Sequence, residues 1–292
     1  MDINFELYKI FYHAAKSESF SEAGAKLFIS QSAVSQAIKN LEDKMGTKLF
    51  FRKTRNIHLT HEGEMLYKHV EQAYNFLKAA ENKISEMQSL NSGEVRIGVS
   101  DTICKYFLVP YLEKFNVKYP RIKIKVINRT SSQIETILKN GQIDFGVVTL
   151  PITDKTIEST EFLSVEDIFV ASAKYKSLLG KRIKLKELSS YPLLMLQKGS
   201  ATRRNVDAYL KQKGIEITPE IELESIDLIV EFARIGLGIA HVLKESAVTH
   251  IENGDLFEIK TDEKMPERKL GIITMKDVPL SGASSEFVKF LY

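Results

Sequence analysis

Residues 20–63 read FSEAGAKLFISQSAVSQAIKNLEDKMGTKLFFRKTRNIHLTHEG. The order is helix, short turn, second helix and basic hairpin, which suits an element that enters a DNA major groove with a wing beside it. Ser21 is expected to cap the first helix, with Glu22 in the first turn, where the helix dipole favours negative charge. Ala23, Ala25 and Leu27 carry that helix to about Phe28, Ile29-Ser30 forms the turn, and Ser30 caps the second helix. There the apolar positions Val34, Ile38, Leu41 and Met45 step along one helical stripe, and Gly46 stops it. The other face carries Gln31, Ser32, Ser35, Gln36 and Lys39; amides and hydroxyls read base edges, and a lysine suits a phosphate.

Working outward, Leu49-Phe50-Phe51 and Ile57-His58-Leu59 are expected as two short strands, with Arg52, Lys53 and Arg55 at the tip between them. Three cations there fit a wing on the DNA backbone or in the minor groove. Across the chain, 41 Lys/Arg against 38 Asp/Glu leave a net charge of only +3, which alone does not argue for DNA. The distribution does: residues 1–60 hold nine cations and six acids, so the positive field is local, as salt-dependent phosphate binding requires.

Phe11, Ala14, Ser19-Phe20, Ala23, Leu27, Ser30-Gln31, Ala33, Ser35, Ile38, Leu41-Glu42, Gly46, Leu49-Phe50, Arg52, Leu59-Thr60 and Gly63 carry a resemblance. Residues 1–63 resemble the amino-terminal winged helix-turn-helix of LysR-type transcriptional regulators. Ser32 stands where that family commonly has proline, Gln36 where it has arginine and Gly24 where it has alanine. The first two bear on base preference, and Gly24 is expected to cost about 1 kcal/mol of helix stability against alanine.

Glu64 to Leu90 has no proline or glycine. Leu66, Val70, Ala73, Leu77, Ala80, Ile84 and Met87 fall at alternating steps of four and three, a heptad stripe. A helix packed on its own domain shows the same stripe. Small Ala73 and Ala80 and the charged flanks favour a second copy, and the resemblance implies a coiled coil between subunits. About 25 helical residues span roughly 37 Å, enough to hold two reading heads apart. A homodimer is the expected minimum, and the resemblance implies a tetramer.

Asn91-Ser92-Gly93 reads as a hinge, after which the pattern becomes β and α in alternation. Strands are expected at 94–99, 122–127 and 145–149 with helices at 105–118 and 131–140, a βαβαβ unit with a parallel sheet. A second unit follows, with strands at 166–171, 193–196, 217–223 and 237–241 and helices at 202–213 and 225–235; strand 268–275 and helix 284–290 close the chain. The expected organisation is multidomain α/β. A winged helix-turn-helix over 1–60 and a linker helix over 61–90 precede a two-lobed, periplasmic-binding-protein-like effector domain over 91–292, lobe I being about 94–162 with 268–292 and lobe II about 163–267.

Ligands of open α/β sheets gather at strand carboxyl ends beside helix amino termini. Ser100, Asp101, Thr102, Thr149, Gln197, Ser200 and Thr202 occupy those places, with Lys198 and Arg203 as nearby cations. The resemblance puts Ser100, Thr102, Thr149 and Thr202 in one effector cleft. As caps and turn formers these residues have a purely structural reading too. A small anion is one expected effector; an amino-acid-like metabolite fits better if Asp101 points inward.

A chain of 292 residues with 43% hydrophobic residues can bury more than one core. No apolar run is long enough for a membrane span and the amino terminus does not read as a secretory signal. With the single Cys104, which excludes an internal disulfide, this gives an expected cytoplasmic location. No phosphate loop is present, and Gly236-Leu237-Gly238 is too short for a dinucleotide fingerprint. No catalytic residue, metal site or cofactor is expected: His58 and His61 lack accompanying ligands, Cys104 reads as a packed small residue ahead of a redox sensor, and His241 as structural. The function expected is a DNA-binding regulator whose operator binding responds to a small effector and which touches RNA polymerase if it activates. The alternative is a cytoplasmic solute-binding protein whose basic head serves assembly.

Overall fold

The computed structural model describes residues 3–51, 57–87 and 93–292, and the chain divides into two compact units, Met1–Ile84 and Ser85–Tyr292. The first unit begins with α1 (Phe5–Ala15), α2 (Phe20–Leu27) and α3 (Gln31–Met45). The α2 cap is Ser19, not Ser21: Ser19 Oγ accepts from the Glu22 amide at 3.2 Å. Ser30 caps α3 as expected, accepting from Ala33 N at 3.2 Å, and Gly46 ends it at φ 71°. Strands β1 (Phe50–Phe51) and β2 (His58–Leu59) pair antiparallel. Phe50 packs edge-on against Phe11 at 5.6 Å and Phe20 at 5.4 Å, which fastens the hairpin to the helices.

Gly24 proves to be required by the turn. A Cβ there would stand 2.7 Å from the Ile29 carbonyl oxygen, so the chain folds back over α2 closer than a side chain allows. The expected gain from alanine is therefore corrected: the contact outweighs helix propensity.

Helix α4 (His61–Met87) follows. Its stripe divides between two fates. Val70 is buried in the core of its own unit, with Leu66, Tyr67 and Tyr74 packed around it, and Tyr12 stacks on Tyr74 at 4.3 Å. Further along, Ala73, Leu77, Ala80 and Ile84 are exposed, Leu77 at 47% and Ile84 at 65%. The side chain of Met87 lies outside the described residues.

The second unit holds two sheets. One has the order β4-β3-β5-β13-β6, from β3 (Gly93–Val99), β4 (Ile122–Asn128), β5 (Phe145–Thr149), β6 (Ile157–Val165) and β13 (Arg268–Met275). Its β4-β3-β5 half is parallel, as the βαβαβ pattern requires, and β13 runs antiparallel to β5 and β6. The other sheet has the order β10-β9-β11-β7-β12-β8. Its strands are β7 (Asp167–Ser172), β8 (Arg182–Ile183), β9 (Leu193–Leu196), β10 (Ile221–Leu223), β11 (Ile239–Leu243) and β12 (Leu256–Thr261). The chain crosses between lobes twice, at Glu166 between β6 and β7 and again between β12 and β13.

Helices α5 (Asp101–Ile103) and α6 (Val109–Lys118) join through a π-helical stretch, Cys104–Leu108. The remaining helices are α7 (Ser131–Lys139), α8 (Ala201–Gln212), α9 (Ile226–Arg234), α10 (Lys244–Glu252) and α11 (Gly282–Leu291). One apolar cluster runs through both lobes, from Val95, Ile97 and Phe287 on one side to Val170, Ile229 and Ala240 on the other.

Candidate functional site

Two polar regions stand out. The first is the outer face of α3, where Gln31, Ser32, Gln36 and Lys39 are exposed and Ser35 is half-buried, while Val34, Ala37, Ile38 and Leu41 face the core. Capping holds the helix amino terminus, and Ser32 Oγ meets Ser30 Oγ at 2.9 Å. Gln36 Nε2 donates to Asn40 Oδ1 at 2.8 Å, a contact it can exchange for a base edge. Glu42 fixes the hairpin relative to α3 from inside: buried, it accepts from the amides of Leu49 at 3.0 Å and Phe50 at 3.4 Å, with Lys48 at 2.9 Å. Arg52, Lys53 and Arg55 lie outside the described residues.

The second region is a cavity of about 740 Å³ between the lobes. Every sequence-expected effector residue lines it: Ser100, Asp101, Thr102, Thr149, Gln197, Ser200 and Thr202. They meet because four helical segments start at its wall. Ser100 precedes α5 with no capping bond from its own side chain. Thr130 heads α7 in a capping box with Gln133, Ser200 accepts from Arg203 N at 3.0 Å ahead of α8, and Ser225 accepts from Leu228 N at 3.4 Å ahead of α9. The amino-terminal partial charges thus converge on one volume.

The cation expectation is corrected. Lys198 is not among the lining residues. Arg203 is buried and turned into the protein, where it donates to the Leu196 carbonyl at 2.9 Å and to Asp207 at 2.8 Å. Instead Arg129 and Arg268 line the cavity, with Asn128, Ser131, Glu224 and Ser225. Arg268 is almost fully buried and grips buried Asp167 with two bonds, at 2.8 and 2.7 Å; its Nη1 donates to Thr149 Oγ1 at 3.2 Å. Among acids, Asp101 accepts from Asn128 Nδ2 at 3.1 Å and Glu224 from Gln197 Nε2 at 2.8 Å.

Beside the cavity, in the π-helical stretch, Lys105 pairs with Asp227 of the opposite lobe at 2.8 Å and Tyr106 donates to the same carboxylate at 2.6 Å. Burial works against the Asp227 charge, but Lys105 and Tyr106 together hold its carboxyl below the usual range. Burial and the same carboxylate push the Tyr106 hydroxyl up to about 12. Cys104, half-buried, has its thiol pushed up by burial and then by Asp101, the opposite of an activated thiolate. No cluster of three or more metal-ligating side chains occurs among the described residues, and no helix among them is long and apolar enough to cross a membrane.

Comparison with known proteins gives consistent matches. Residues 5–64 match the family described as "Bacterial regulatory helix-turn-helix protein, lysR family", and residues 88–292 match "LysR substrate binding domain". A probable RuBisCO transcriptional regulator of Emiliania huxleyi is 30% identical over 271 residues, covering 91% of this chain and 86% of that protein. The HTH-type transcriptional activator CmpR of Synechocystis is 27% identical over 285 residues, covering 98% and 93%. Among solved structures, full-length CbnR complexed with its target DNA superposes with a TM-score of 0.69 at 18% identity, covering 99% of each chain. A full-length OxyR variant from Pseudomonas aeruginosa gives 0.73 at 18% identity, covering 100% of this chain and 94% of that one. At such identities the structural likeness speaks for the fold alone.

Proposed function

The chain belongs to the LysR family of transcriptional regulators, and from that premise we propose that a small metabolite of amino-acid type, held in the cavity beside Thr149, sets how its paired winged heads hold operator DNA. It is a sequence-specific DNA-binding regulator responsive to a small effector, not an enzyme.

The convergence of helix amino termini on one cavity carries the choice of effector class. α7, α8 and α9 begin there, and the Ser100 hydroxyl caps nothing. Such a wall stabilises a carboxylate. Asp101 and Glu224 on the same wall outnumber Arg129, Arg268 being matched by Asp167, which disfavours a simple polyanion and suits an ammonium group. A ligand with both groups satisfies both. Thermal shift and calorimetry on the full chain would compare L-amino acids, the matching carboxylates without the amino group, and the matching amines. Binding by the amino acids alone is expected; equal binding by plain carboxylates, or no binding by any of the three sets, overturns this reading.

For DNA, Gln31, Ser32, Ser35 and Gln36 are the base-reading candidates, with Lys39, Arg52, Lys53 and Arg55 on phosphates. The exposed polar face of α3 supports the first group. Gln36→Ala should redirect or abolish operator binding, and Arg52→Ala should flatten its salt dependence. If neither substitution matters, the basic head serves assembly and the solute-binding alternative stands. A homodimer through Leu77, Ala80 and Ile84 fits the uncovered stretch of α4; Met87 extends the same stripe in sequence, and two such dimers make a tetramer. If the protein activates, RNA polymerase is its further partner.

A further inference from the structure

We propose that Arg268 is a positioning residue that makes Thr149 a hydrogen-bond donor to the effector and ties that contact to both strands crossing between the lobes. The inference rests on the cavity being the effector site. Arg268 is the first residue of β13, where the chain returns from lobe II, and Asp167 is the first residue of β7, where it enters lobe II. One guanidinium therefore touches both crossings and the cavity wall.

The chemistry of the fork fixes the direction of each bond. A guanidinium has donors only. Its Nε and Nη2 are taken by the two Asp167 oxygens and its Nη1 by Thr149 Oγ1. Thr149 Oγ1 must accept from Arg268, so its own proton points elsewhere. Among the described residues no protein acceptor meets that proton, and Thr149 lines the cavity, which leaves the cavity as its outlet. Thr149 accordingly presents a donor and selects an acceptor oxygen on the ligand. Asp167 matches the guanidinium charge, so Arg268 does not itself serve as the ligand's counter-ion; it sets polarity and direction. Arg268 and Asp167 are 6% and 7% exposed, so water does not compete for these bonds. A ligand oxygen drawing on the Thr149 proton strengthens the Arg268 bond behind it, and both crossings share the consequence.

Two measurements on the full chain test this with Arg268→Lys, Thr149→Val and Thr149→Ser. The first needs no ligand. Amide hydrogen exchange is followed over residues 166–169 and 267–270. Arg268→Lys keeps the charge but loses the fork, and should speed exchange in both segments together by about tenfold or more, the equivalent of one charge-assisted bond. Thr149→Ser should change neither. The second measurement uses the L-amino acids named above. Thr149→Val and Arg268→Lys should each weaken their binding by about tenfold or more, and Thr149→Ser should bind as the parent does. Unchanged exchange in either segment on Arg268→Lys overturns the proposal whether or not an amino acid binds. Amino-acid affinity unaffected by Thr149→Val or by Arg268→Lys overturns it as well. Failure of the unmodified chain to bind any amino acid sinks the effector class and with it the Thr149 donor, while the exchange measurement still decides whether Arg268 ties the two crossings together.

Discussion

Glu42→Ala should uncouple the hairpin from the recognition helix. The carboxylate is 1% exposed and bonds the Leu49 and Phe50 amides, whose residues are 1% and 3% exposed. A buried donor left without its acceptor costs about 1–3 kcal/mol. The Leu49 bond at 3.0 Å counts nearly in full, and the Phe50 bond at 3.4 Å counts for less. The Lys48 side chain is 59% exposed, so its loss as a partner adds little. The total is about 2–4 kcal/mol, against roughly 5–15 kcal/mol for a whole domain. Urea unfolding of the full chain by circular dichroism should show it, and operator affinity should fall because β1 carries the base of the wing. Glu42→Gln keeps an acceptor oxygen and should cost less. The pH dependence has a definite sign. Burial alone would raise the Glu42 carboxyl, but Lys48 and the Leu49 amide override it and hold the group below its ordinary value. Its stabilisation is therefore present above the unfolded value of about 4.3 and is lost as pH falls through the lower, folded one. Glu42→Gln should remove that acid dependence. A cost for Glu42→Ala under about 0.5 kcal/mol, the range of an ordinary surface change, would refute the reasoning.

Gly24→Ala should destabilise the first unit by about 1–3 kcal/mol, the range of overpacking, because the added methyl meets the Ile29 carbonyl; a higher melting temperature would contradict this. The two stretches of the α4 stripe should respond differently. Val70→Ala should lower urea stability by about 1–3 kcal/mol while leaving the subunits assembled, whereas Leu77→Lys with Ile84→Lys should yield monomers in analytical ultracentrifugation with little loss of helicity. His241 is 2% exposed, its Nε2 has no hydrogen-bond partner among the described residues, and burial lowers its pKa. Its neutral form is thus compatible with the fold above the ordinary histidine value of about 6.5, and stability falls as pH drops below that value. His241→Leu should flatten the urea midpoint between about pH 7 and pH 5; an unchanged slope would exclude His241 as its source.

The sequence signals that succeeded are local. The stripe through Val34, Ile38 and Leu41 forms the buried face of α3, and Ser30 and Gly46 bound that helix because capping depends on immediate neighbours. Ser19 and Ser21 are both serines near one helix start, and which one caps depends on how the chain enters from α1, which local sequence does not specify. β6 was illegible because the run IESTEFLSV is mostly exposed between its buried ends and lacks alternation. The heptad in α4 gave the direction of the stripe but not what covers it; Val70 proved to be claimed by its own unit. The polar ends of β3 and β5 and the start of α8 disclosed the cavity, since strand ends beside helix starts follow from the α/β pattern. Arg268 could not be read that way. Its meaning lies in Asp167, 101 positions away, and in a strand crossing that appears only when both sheets are assembled.

The shared core limits how an effector can act. Ile103 and Leu108 of lobe I and Ile226 and Val230 of lobe II belong to one cluster, and each is less than 5% exposed. Parting the lobes widely would break the Lys105 and Tyr106 contacts to Asp227 and would cost about 1.5–3 kcal/mol for each cluster side chain that it uncovers. An allosteric ligand commonly supplies about 1–3 kcal/mol of coupling, less than four such exposures demand. The response should therefore be a small repacking around the cavity, with the lobes remaining joined. Spin labels at Ser132 and Lys198, exposed positions on opposite lobes, would measure it in a Cys104→Ser background. Their separation should shift by less than about one helical turn, ~5 Å, on adding a saturating amino acid that binds. A larger shift would mean that the apolar cluster divides in the cycle, and the coupling energy would have to be correspondingly greater.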